Sequence, residues 1–119
     1  MVTYTNNPHN NIVEVSIGGD IESADLDRAA MQMTTDFEKH GKLRILEDIQ
    51  DLDDAEFALV WQDSRFGLKY LKDFTHVAIV ADEKWLVVLA KASNVVIPAE
   101  VKTFEHSQIA EARTWLMTA

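Results

Sequence analysis

Cysteine is absent from this 119-residue chain, and glycine and proline are scarce, with four and two copies. Without thiols there is no disulfide framework, no thiolate zinc site and no cysteine nucleophile. The same absence fits a reducing compartment, since small secreted domains commonly rely on disulfides. So little glycine and proline leaves no low-complexity stretch and no linker, and the chain reads as one domain over residues 1–119. A domain of this length buries about two thirds of its unfolded surface, enough for a core without a metal or a covalent staple.

Long apolar runs are also missing. The longest is Trp85 to Ala90, far short of the roughly 20 residues that span a bilayer. Met1-Val2-Thr3-Tyr4-Thr5 has neither a basic start nor an apolar h-region, so no signal peptide is expected and the cytoplasm is the expected location. Positive charge is in short supply, with 11 basic against 20 acidic side chains and a net charge of −9. That balance argues against a nucleic-acid partner, which requires a basic face to displace counterions. The deficit is concentrated in residues 1–60, whereas residues 61–119 are balanced.

Catalytic and cofactor motifs are lacking as well. The four histidines, His9, His40, His76 and His106, show no HxH or HxxxH spacing and read as loop or cap residues rather than metal ligands. There is no GxGxxG, no phosphate-binding loop and no GxSxG. Asp51-x-Asp53-Asp54 has the start of a calcium loop, but the loop's glycine is missing and Gln62 stands where its bidentate glutamate belongs. Asp63 and Ser64 are adjacent with no histidine near them in sequence, so a hydrolase using them or a histidine is only a distant alternative. The expectation is a non-enzymatic protein without cofactor or metal.

What is present is a regular alternation of strands and helices. Residues 2–5 and 12–17 alternate and pair as an opening hairpin around the turn-rich Asn6-Asn7-Pro8-His9-Asn10-Asn11. Ser23 serves as a helix N-cap, Leu26, Ala29, Ala30, Met33 and Phe37 form one helical face, and Gly41 closes the helix. Strands follow at 43–49, 77–80 and 101–104, with helices at about 55–72 and 83–94. A last helix, capped by Ser107, brings Ile109, Ala112, Trp115 and Leu116 together. The order ββαβαβαβα predicts an α/β fold with a mixed, mostly parallel sheet and about four helices.

Three stretches within this order resemble the SpoIIAA-like family of the STAS fold. They are Trp61-Gln62-Asp63 with Phe66-Gly67-Leu68-Lys69, then Asp82-Glu83-Lys84-Trp85, then Pro98-Ala99-Glu100-Val101-Lys102-Thr103-Phe104 with Glu111-Ala112-Arg113-Thr114-Trp115-Leu116. The resemblance implies the STAS architecture and a non-enzymatic domain, with lipid or small apolar ligand binding and membrane association as suggested roles. Sporulation anti-sigma factor antagonists carry a phosphorylatable serine at the start of the helix after the central strand. Residues 48–56 hold no Ser or Thr here, which argues against that switch. In its place stand Asp48, Asp51, Asp53, Asp54 and Glu56. These carboxylates either cap and solvate a helix N-terminus or form an acidic edge that meets a basic protein partner.

Two apolar surfaces complete the candidate site residues. Leu59, Phe66 and Tyr70 form a second stripe on the 55–72 helix, opposite its core face. Trp85, Leu86, Val87, Val88 and Leu89 cover most of the next helix, interrupted by Lys84 and Lys91. Such a helix suits a lipid or small apolar ligand, a membrane surface approached at the cytoplasmic side, the interface of a homodimer, or the core.

Overall fold

The computed structural model describes residues 2–7, 11–53, 55–56, 74–84 and 99–119. Among the described residues five strands form one sheet, in the spatial order of the chain. They are β1 (Val2–Asn7), β2 (Ile12–Ile17), β3 (Leu43–Ile49), β4 (Phe74–Val80) and β5 (Glu100–Phe104). β1 and β2 are antiparallel, and β2 through β5 are parallel. Two helices lie among the described residues, α1 (Ser23–His40) and α2 (Ile109–Thr118), the second preceded by a 3-10 turn, His106–Gln108. Residues 55–56 and 83–84 are helical as expected, and the rest of those two predicted helices lies outside the described residues.

Alternation along the strands builds two cores. Val13, Val15 and Ile17 of β2, Leu43, Ile45 and Ile49 of β3, and Val77 and Ile79 of β4 face α1 with Leu26, Ala29, Ala30 and Met33. Ile12, Leu46, Ala78, Val80 and Phe104 face the other way and are covered by Ala112 and Leu116 of α2. Both faces of β3 are therefore buried, as a central parallel strand requires. α2 is tied across its face by polar contacts as well. The Arg44 guanidinium donates to the Leu116 carbonyl at 2.7 Å, and Arg113 pairs with Glu14 at 3.0 Å. Trp115 packs against His76 and Phe104, with the Lys102 ammonium over both Phe104 and Trp115.

The structure corrects several element ends. β1 continues through Asn7, β4 begins at Phe74 and β5 at Glu100. Ser23 is the first helical residue rather than the cap, and Glu22 before it makes no side-chain cap hydrogen bond. Ser107 does not cap α2, because it lies inside the 3-10 turn, where Gln108 Oε1 accepts from the Glu105 N–H at 3.1 Å. Gly41 closes α1 as expected, at φ 74° with its N–H on the Phe37 carbonyl at 2.8 Å. Among the described residues, the non-glycine positions with positive φ are Asn11, Asp20 and Asp51, the residue types that tolerate that region.

Candidate functional site at the carboxyl ends of the parallel strands

β2, β3, β4 and β5 run the same way, so the segments that follow them gather along one edge of the sheet. That edge is where open α/β sheets place their binding groups. The edge is pinned by backbone bonds. The Gln50 N–H donates to the Ile17 carbonyl at 2.8 Å and the Ala81 N–H to the Phe104 carbonyl at 3.1 Å. Gly19 passes so close that a Cβ would stand 3.3 Å from the Asp51 carbonyl oxygen, which leaves little room for a larger residue.

The acidic residues of this edge have separate fates. Asp53 and Glu56 form a reciprocal capping pair. The Glu56 N–H donates to Asp53 Oδ1 at 2.7 Å, and the Asp53 N–H donates to Glu56 Oε1 at 3.3 Å. Glu56 also accepts from the Asp20 N–H through Oε2 at 3.0 Å, joining the end of β2 to the end of β3. Asp51 is exposed at φ 49°. Asp48 is buried at 8% exposure, with its Oδ2 accepting from the Gln50 side-chain amide at 2.7 Å. Asp54 lies outside the described residues.

Sequence spacing alone did not bring out the residue that joins these ends. His106, on the turn after β5, places Nδ1 3.1 Å from Asp82 Oδ1 and Nε2 3.0 Å from the Ile49 carbonyl. The same Nε2 lies 3.2 Å from Asp48 Oδ1. That oxygen accepts no aligned hydrogen bond among the described residues. Asp48, Asp82 and His106 are 34 and 24 residues apart along the chain, and only the parallel pairing of β3, β4 and β5 brings them together.

Two further titratable groups are perturbed. Glu47 sits on the face shared with Ile45 and Ile49, in register with Val15 and Ile79, and is 6% exposed. Burial pushes its carboxyl up to about 7. On the far edge, the Tyr4 hydroxyl donates to Asp36 Oδ2 at 2.5 Å and the Asn6 amide to Asp36 Oδ1 at 2.7 Å. Burial, with the Asp36 hydrogen bond and charge added, holds the Tyr4 hydroxyl well above the usual phenol range.

Of the apolar candidates only Lys84 is described; it is helical and exposed, immediately past the edge that holds Asp82. Trp85, Leu86, Val87, Val88, Leu89, Lys91, Leu59, Phe66 and Tyr70 lie outside the described residues, as do Asp63 and Ser64. Among the described residues no helix is long and apolar enough to cross a membrane.

No curated protein and no solved structure matches the chain. The family model described as SpoIIAA-like matches residues 12–117, from the start of β2 almost to the end of α2. With four parallel strands in chain order, an antiparallel first strand and helices on both faces, the chain belongs to the SpoIIAA-like family.

Proposed function

We infer that this protein is a non-catalytic binding domain of the STAS type, and that its acidic edge receives a basic protein surface. One observation carries this reading. Asp51, Asp53 and Glu56 are presented at the carboxyl end of β3 on segments tied to β2, beside Asp20, in the half of the chain that holds most of its negative charge. Fixed carboxylates on a pinned edge favour an oppositely charged surface and repel nucleic acid. The test is affinity capture with the intact chain at low and high salt, beside an Asp51→Lys variant. A captured protein that is released by roughly 0.5 M salt, where screening is severe, and is not retained by Asp51→Lys supports the reading. Equal retention by both proteins at either salt overturns it.

The run from Trp85 to Leu89, flanked by Lys84 and Lys91, supports a second reading. In it the segment meets a lipid-like ligand or the inner membrane surface from the cytoplasm, with the Leu59, Phe66 and Tyr70 stripe beside it. Flotation with neutral and anionic liposomes decides between the two. Binding that prefers anionic lipid and is lost in Val88→Asp favours the lipid reading. No flotation leaves the apolar residues to a homodimer interface or the core.

A further inference from the structure

Among the described residues the His106 ring meets three oxygens, and all three can only accept: Asp82 Oδ1 at Nδ1, and the Ile49 carbonyl and Asp48 Oδ1 at Nε2. A neutral imidazole has one N–H and one bare nitrogen. Either tautomer would therefore aim a lone pair at an oxygen lone pair. The imidazolium alone donates from both nitrogens.

A second observation points the same way. Asp48 Oδ1 is buried and accepts no hydrogen bond among the described residues, while its sister oxygen is engaged by Gln50. A carboxylate oxygen in that position needs a cation close by. The ring nitrogen 3.2 Å away supplies one when both ring nitrogens are protonated.

We propose that His106 is a proton-gated clasp joining the carboxyl ends of β3, β4 and β5. With both ring nitrogens protonated, the turn after β5 is held to the Ile49 carbonyl and Asp48 on one side and to Asp82 on the other. Loss of one proton leaves the remaining N–H on Nε2, where the carbonyl and the Asp48 carboxylate are shielded from water. Asp82, whose side chain is 60% exposed, is solvated easily and is released. Asp48 loses its countercharge, and the edge becomes more negative by one. Among the described residues the charged groups facing the ring are Asp48 from β3 and Asp82 after β4; Glu105 precedes it in the turn, with its backbone held by Gln108. This device is independent of which partner the edge receives.

The experiment is nitrogen and proton NMR of the isotope-labelled full chain from about pH 5 to 9, the range that brackets histidine titration. It follows the His106 ring nitrogens and the backbone amides of Ile49, Gln50, Asp82 and Glu105. At low pH both ring nitrogens should carry protons, and the four amides should shift with the ring at a common midpoint. The amide shifts should be lost in His106→Gln and kept in His76→Gln, which removes the histidine of β4. A ring that carries a single proton throughout, or amides that stay still while the ring titrates, overturns the clasp. The ring measurement uses the unaltered chain and so decides the matter even where a variant does not fold.

Discussion

Glu47 and Asp36 are two buried carboxyls with opposite surroundings. Asp36 lies on the helical face that the sequence assigns to apolar packing, beside Met33 and Phe37, yet it is 5% exposed. Its burial is compensated by two donors from β1, Tyr4 and Asn6, which staple the edge strand to α1. Glu47 has apolar strand neighbours in Val15 and Ile79, and burial alone raises its carboxyl from an ordinary 4.5 to about 7. The folded chain therefore holds this proton across a range in which the unfolded chain has released it. Stability falls as pH rises from about 4.5 through about 7, and it does not recover above that. Glu47→Gln should remove this loss. Urea titrations should show the variant more stable by on the order of 2–3 kcal/mol above pH 7, with the difference shrinking toward zero near pH 4. A gain that is independent of pH would contradict the assignment.

At the scale of elements, the carboxyl end of β3 shows how one short acidic segment does several jobs. Asp53 and Glu56 satisfy backbone donors at the start of the following helical residues, and Glu56 reaches the end of β2 as well. Asp53 and Glu56 therefore cap, while Asp51 stands exposed. Asp53→Ala removes the acceptor for the Glu56 N–H and should lower stability by about 1 kcal/mol, the usual cost of losing such a cap. Thermal unfolding monitored by circular dichroism measures it, and an unchanged midpoint would show that the pair is idle. The strands were legible because their alternation has a period of two and their residues are β-branched. Helix starts were less so. Ser23 and Ser107 have the right chemistry for caps, but the chain enters each helix one or two residues away from where they stand.

For the whole molecule, the sheet holds together because both faces are covered. α1 closes one, and α2 closes the other through Ala112 and Leu116, both fully buried against Leu46, Ala78, Val80 and Phe104. α2 thus contributes to the core as much as to the surface. Leu116→Ala leaves a cavity over the centre of the sheet and should cost about 2–5 kcal/mol. The urea midpoint should fall with little change in the slope of the transition. A shift under 0.5 kcal/mol would mean that α2 is not a structural part of the domain.

Periodicity and composition by themselves determined the order of the described strands and helices, the largely parallel sheet, the buried faces of the first and last helices and the lack of thiol chemistry. Each of these follows from local geometry, the two-residue repeat of a strand, the 3.6-residue repeat of a helix, and residue types that are present or absent. The tertiary structure alone decided where the polar groups go. Asp48, Asp82 and His106 meet because parallel strands align their carboxyl ends, and Tyr4 meets Asp36 because the hairpin carries β1 beneath α1. A hydrogen bond is set by distances of about 3 Å between groups far apart in the chain, and such distances exist only once the sheet has closed.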